Sequence, residues 1–399
     1  MSAQRWFVCV GVVTFAAAAA PAANADAFGE DNLRVVVGRL ADGVREAAEK
    51  LDQKSVRIGL FSPSDNDKSQ SGGAFMSELN AALGKFVNPI AALEIKGDYG
   101  YINDPAHPGS KVVAVRAKLF ADGTEKKEFA PFEGYISDAS DIARLMGANV
   151  DFKDEYDPAK RNKELQDGLP PGPHKSPKHP AFVHGRGDTL VSPTKDSPYA
   201  VEIRTLLLAD FGKQKAGARQ AELVDGEPFV EIEKDELYEV RALNYSDHEV
   251  AVSLVIDGID QFTFSDDRGE DGRPKYKHYI VDAAKNGNPG QVLINGWHKT
   301  AKKLTDADRR QGKGNELSFL VTEYGKGAAS KFPTQSQGKV GTITVGFAKS
   351  YLRRTYGTVG SAAPGSTETG FGPAVESKQT PVVRTTDDPS AFVTVRYSR

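Results

Sequence analysis

The chain has 399 residues with 51 Lys and Arg against 54 Asp and Glu, a net charge of −3, and no long run of one sign. Such a balance excludes the basic footprint of a nucleic-acid binder and a polybasic membrane surface. A single cysteine, Cys9, excludes a disulfide framework, so stability is expected from packed hydrophobic cores, for which the chain is long enough to build two domains.

The first element is a leader. Arg5 is the only charged side chain before Asp26, residues 6–15 are almost wholly apolar, and an alanine run at 16–20 leads to Ala23-Asn24-Ala25. A positive start, a short apolar core and small residues at the exit predict a cleaved signal peptide over 1–25. The apolar core is shorter than the roughly 20 residues a membrane span needs. Cys9 leaves with the leader, and the mature chain keeps 50 basic against 54 acidic residues. No later stretch predicts a transmembrane segment, so the mature protein is expected in the periplasm or outside the cell.

Residues 31–150 predict an α/β sandwich domain. Leu33, Val36, Val37, Leu40, Val44, Ala47, Ala48 and Leu51 follow three- and four-residue spacing, the pattern of one apolar helix stripe. A short strand at 56–61 and a polar, glycine-containing loop precede a second helix bearing Phe75, Met76, Leu79, Ala82, Leu83 and Phe86. Extended runs follow at 91–103, 111–120 and about 128–136, with turn chemistry at Asp122-Gly123. Asp138 is expected to cap a closing helix that runs through Met146.

Residues 151–197 are rich in proline without hydrophobic periodicity, which predicts an extended linker or wrapped loop. From 198 to 350 the pattern turns to period two. Strands are expected at 199–208, 228–232, 237–244, 249–256, 278–282, 291–295, 316–323 and 339–347. Many short strands at this spacing read as an antiparallel, immunoglobulin-like β-sandwich. Its inner face would carry Val240, Ala242, Val252, Leu254, Ile256, Phe319, Val321, Ile343 and Val345. The remainder, 351–399, is a Gly/Ser/Thr-rich tail with one last alternating run at 391–397. The fold class expected is therefore α+β in two domains.

The strand VRIGLF, the gap after it, the helix AFMSELNAAL and the strands YGYIND and VVAVRAKLF give the first domain a resemblance. It is similar to the periplasmic α/β domain shared by flagellar outer-membrane assembly proteins, curli-secretion proteins and activators of penicillin-binding proteins. The resemblance implies an assembly or interaction module of the envelope. The ordered pieces FVEIEKDELYEVRALNYS, VSLVIDGID, INGWHKT, FLVTEYGKGAASK and VGTITVGF make the second domain resemble an uncharacterised bacterial envelope β-sandwich module, which implies a fold and a compartment but no activity.

Few residues suggest chemistry. Asp266, Asp267 and Asp271 form the densest acidic cluster, and Asp267, Asp271 and Gly272 occupy the first, fifth and sixth places of a calcium loop. Gly269 at the third place and His278 at the twelfth break that match, so a solvated hairpin is favoured over calcium as a cofactor. Trp297 and His298 follow Asn295-Gly296 at a strand end. An exposed Trp would stack on a glycan or a protein side chain, whereas a buried one would plug the sandwich. Tyr324, in a glycine-flanked loop, is a further candidate contact. Of the scattered histidines, His174, His179 and His184 are five apart in the proline-rich stretch, where a hydrated linker outweighs a loose metal site.

These features predict a non-enzymatic, exported envelope protein that binds a protein or glycan partner. One alternative is a hydrolase whose site lies between the domains and uses His278 or His298 with Asp266 or Asp271. Another is a calcium or small-ligand binder.

Overall fold

The structure, a computed structural model, describes residues 32–63, 71–171, 175–269, 273–323, 326–328, 341–352, 370–377 and 379–397. The segment expected to be a leader, most of the Gly/Ser/Thr-rich run, His174, Asp271 and Tyr324 lie outside the described residues. Strand outweighs helix, 40% to 18%, which makes the chain a β-rich α+β protein.

The first half contains α1 (Leu33–Lys50), β1 (Arg57–Pro63), α2 (Ser71–Leu83), β2 (Leu93–Asn103), β3 (Lys111–Ala121), β4 (Thr124–Glu125), β5 (Phe132–Ile136) and α3 (Ala139–Met146). Asn32 caps α1 by accepting from Val35 N at 3.0 Å, and the predicted stripe from Leu33 to Ala48 is buried along its length. Each Leu or Val so buried contributes ~1.5–3 kcal/mol. Strand β1 runs parallel to β2, β2 and β3 form a long antiparallel pair, and β4 and β5 continue along β3. Asp122 and Gly123 both take positive φ between β3 and β4, the backbone a tight hairpin requires. Asp138 caps α3 through Asp141 N at 2.8 Å, and Gly147, left-handed at φ 63°, ends it.

Residues 151–197 correct the expectation of an extended linker. After β6 (Val150–Asp151) comes α4 (Pro158–Gly168), then β7 (Phe182–His184) and β8 (Leu190–Ser192). Pro158 sits at the start of α4, where its missing N–H costs nothing, and Asp157 caps it. Leu165 and Leu169 enter the first core, while Ala181 and Val191 enter the second. Apart from Ala159, α4 offers Leu165 as its one apolar residue, too little for a periodic signal.

The second half contains β9 (Tyr199–Leu207), β10 (Gly217–Ala218), β11 (Glu222–Val224), β12 (Glu227–Phe229), β13 (Glu236–Asn244), β14 (Val250–Ile256), β15 (Ile259–Asp260), β16 (Tyr279–Val281), β17 (Gly290–Ile294) and β18 (Gly296–His298). It closes with α5 (Asp306–Arg310), β19 (Glu316–Leu320), β20 (Thr342–Leu352), β21 (Gly370–Val375), β22 (Arg384–Thr386) and β23 (Ala391–Arg396). Two nine-stranded sheets result among the described residues. One is ordered β18-β19-β13-β9-β8-β7, with β10, β17 and β21 attached; the other is ordered β11-β12-β23-β20-β14-β15, with β6, β16 and β22 attached. Their facing side chains share one core that includes Val240, Ala242, Val252, Leu254, Ile256, Phe319, Ile343 and Val345, with Val321 packed at its margin.

The last strand joins the halves. β23 lies between β12 and β20 and also pairs with β6, Ala391 opposite Asp151 and Phe392 opposite Val150. Alternation sends Val393 and Val395 into the shared core of the two sheets, while Phe392 enters the core of the first half. Asn149 Oδ1 accepts from Thr394 N at 2.8 Å. The outer face of the second sheet thus packs on the region around α3 and β6.

Candidate functional site

Where this outer face meets the helices, it leaves a cleft of about 320 Å³. The helical wall carries Glu78 on α2, Asp138 at the cap of α3, and Asp141 and Arg144 on α3 itself. Ser253 and Val255 of β14, Asp260 of β15, Pro274 and the run Tyr276, Lys277 and His278 form the opposite wall, and Asp388, Pro389 and Phe392 close one end. The tight turn Asp257-Gly258, both at positive φ, sends the chain from β14 back along β15 and so presents Asp260 to the helices.

Several of these groups are already engaged. Asp141 accepts from Leu33 N at 2.8 Å and pairs with Arg144 at 2.9 Å, which ties α3 to the start of α1. Asp260 Oδ1 accepts from Phe262 N at 2.8 Å. Arg161 of α4 donates to the carbonyl of Pro389 at 3.1 Å, as does the Ser140 hydroxyl at 2.9 Å, which fixes the segment leading into β23.

Burial dominates the electrostatics. It raises the carboxyl groups of Asp138 and Asp260 to about 6 and also raises that of Glu78. His278 is pushed down to about 4, first by burial and then by Lys277, so its ring is neutral near pH 7; its Nδ1 is buried without a hydrogen-bond partner. Burial alone would lower the Arg144 guanidinium, but Asp141, Glu78 and Asp260 outweigh it and hold it above its ordinary value. Perturbed groups gathered in one concavity mark a candidate site.

The residues singled out in the sequence lie mostly elsewhere. Trp297 is 0% exposed and meets Phe264 and Phe319 edge to face at 5.2 Å each, so it plugs the sandwich and is not available to a partner. His298, expected beside it as a surface contact or base, is also 0% exposed. Its Nδ1 lies 3.1 Å from Ser265 Oγ, its ring packs on Phe262 and Tyr276, and burial lowers its pKa. Asp266 pairs with Lys299 at 2.9 Å, and Asp267 accepts from Ala301 N at 2.7 Å and from Thr300 Oγ1. Both carboxylates thus staple the 266–267 turn to 299–301. Among the described residues no three His, Cys, Asp or Glu side chains gather as a metal site. Of the described residues proposed for an interdomain enzyme, which are His278, His298 and Asp266, only His278 lines the cleft.

A second cluster of buried polar groups surrounds Glu316, which sits opposite His298 in the β18–β19 pair. Tyr279 donates to Glu316 at 3.3 Å, Gln379 donates to the same carboxylate, and Gln261 donates to Tyr279 Oη and to Gly296 O. Burial raises Glu316 to about 7.

Sequence reasoning missed Glu78, Asp141, Arg144 and Asp260, and read Asp138 only as a cap. No local signal separates them from solvated charges, since their convergence depends on contacts far apart in the chain. Comparison with family models, curated proteins and solved structures finds no match to this chain.

Proposed function

We propose that this chain is an exported binding or assembly module of the cell envelope that joins an α/β domain to an immunoglobulin-like sandwich domain. It engages a protein or glycan partner through the cleft between them. The observation that carries this reading is the composite wall, with Glu78, Asp138 and Arg144 from the helices facing Asp260, Tyr276 and His278 from the strand side. Concave sites preferentially form at such junctions. The leader at 1–25 supports export, and the resemblance of the first domain to envelope assembly domains supports recognition of a partner.

The test places a photo-crosslinking amino acid at Tyr276 in the full chain and irradiates intact cells. The expected result is a processed protein beginning at Asp26, with a discrete adduct that disappears when Val255→Trp fills the cleft. Retention of the leader inside the cell, or adducts indifferent to the filled cleft, overturns the proposal.

A second reading is favoured by one observation: Asp138 and Asp260, both held near 6, line the same cleft as a neutral His278. Groups with separated protonation states suit general acid–base hydrolysis. Turnover of a glycoside, ester or peptide panel, abolished by Asp260→Asn, would put the hydrolase in place of the binding module.

A further inference from the structure

We infer that the cleft between the helices and the second sheet takes an organic cation, a primary amine or guanidinium on an apolar stem, in preference to a metal ion or an anion. The inference rests on the reading of the chain as a binding protein and names the chemistry of its ligand.

The carboxyl groups are contributed by separate segments: Glu78 from α2, Asp138 and Asp141 from α3, Asp260 from β15, and Asp388 from the approach to β23. Asp141 is neutralised by Arg144, and Asp138 is committed to capping α3. Glu78 and Asp260 have no ion pair within 4 Å among the described residues; Arg144, Arg273 and Arg34 act on Glu78, and Arg144 and Lys277, which both line the cleft, act on Asp260, only at longer range. A buried carboxylate without a close counter-charge is costly, and a bound cation relieves that cost.

The shape of the charge distribution decides the class of cation. A hard metal ion needs several oxygens converging at bonding distance, and no group of three ligating side chains does so among the described residues. An ammonium or guanidinium donates in several directions and tolerates dispersed acceptors. His278 adds a buried, unpartnered Nδ1 to the same wall. Val255, Pro274, Tyr276 and Phe392 supply apolar surface against which a methylene stem can lie. A volume of about 320 Å³ fits a diamine or one basic side chain.

The two sources of that chemistry are a free amine and a Lys or Arg side chain of a partner. Calorimetry on the purified full chain tests both, using cadaverine, agmatine and a Lys-Arg-Lys peptide, with calcium and glutamate as controls. At about pH 7.5 at least one amine probe binds, and its affinity falls about tenfold or more at about pH 5, because protonated carboxyls no longer attract it. Asp260→Asn and Glu78→Gln each weaken binding at least about tenfold. The exposed control Asp42→Asn leaves it unchanged. Circular dichroism and the unliganded melting temperature report whether each variant folds, and Val255→Trp blocks the cleft without altering its charge. Binding of free diamines identifies a small-molecule ligand; binding of the peptide alone identifies a partner side chain. No amine binding, equal binding by the folded Asn and Gln variants, or preference for calcium or glutamate overturns the inference. In that event a cleft-dependent crosslink at position 276 would still support the binding module, whereas its absence would remove both.

Discussion

Glu316 illustrates how one residue inherits its chemistry from distant chain. It opens β19, where alternation places it on the face opposite the shared core, and it is nonetheless 1% exposed. Tyr279 and Gln379 reach its carboxylate from segments 37 and 63 residues away. Burial raises its pKa from 4.5 to about 7, so between those values the folded chain binds a proton that the unfolded chain releases. Its contribution to stability is fully present below about pH 4.5 and is lost as pH rises through about 7, by up to ~3 kcal/mol. Asp138 and Asp260 act in the same direction, whereas His278, held down, adds stability that is lost as pH falls through about 4. Glu316→Gln keeps an oxygen for Tyr279 and Gln379 to donate to and removes the titration. The difference in unfolding free energy between variant and wild type should therefore grow in the variant's favour from about pH 5 to pH 8, with the other groups cancelling. A difference that stays flat across urea titrations at those pH values would show that Glu316 does not titrate near 7.

The α4 helix makes the same point for an element. Its Asp-Pro start is a helix signal, and prolines 170 and 171 follow shortly after its end, yet one apolar side chain cannot produce a stripe. Leu165 is 0% exposed in the first core, and Asn162 exchanges hydrogen bonds with the backbone of Lys111. Leu165→Ala should cost ~2–4 kcal/mol in a denaturant titration, since it leaves a cavity beneath the helix. A linker would lose almost nothing. Strands β9, β13, β14, β19 and β20 were legible because both period-two alternation and turn residues marked them, whereas β6, β7 and β8 are too short to carry either signal.

At the scale of the whole molecule, β23 couples the two halves. Phe392 is borne by a strand of the second sheet but packs in the core of the first half, and Gly346 leaves room for it; a Cβ there would lie 3.2 Å from its ring. Phe392→Ala should lower stability by ~3–5 kcal/mol while unfolding remains a single transition by both calorimetry and tryptophan fluorescence. Two transitions, of which only one moves, would mean that the halves unfold independently. The cleft depends on this coupling, because one of its walls belongs to the helices of the first half and the other to the second sheet, which β23 joins.

Local chemistry in the sequence determined the cap at Asp138, the Asp122-Gly123 turn, the apolar stripe of α1 and the inner face of the sandwich. Each is set by residues within a few positions of one another, where spacing and backbone preference act directly. Only the tertiary structure decided that Trp297 and His298 are buried and that the proline-rich stretch packs against both cores. It also gathered Glu78, Asp138 and Asp260 around one cavity. Those outcomes depend on which surfaces become covered, and burial is a property of chain segments brought together from afar, with no local pattern to announce it.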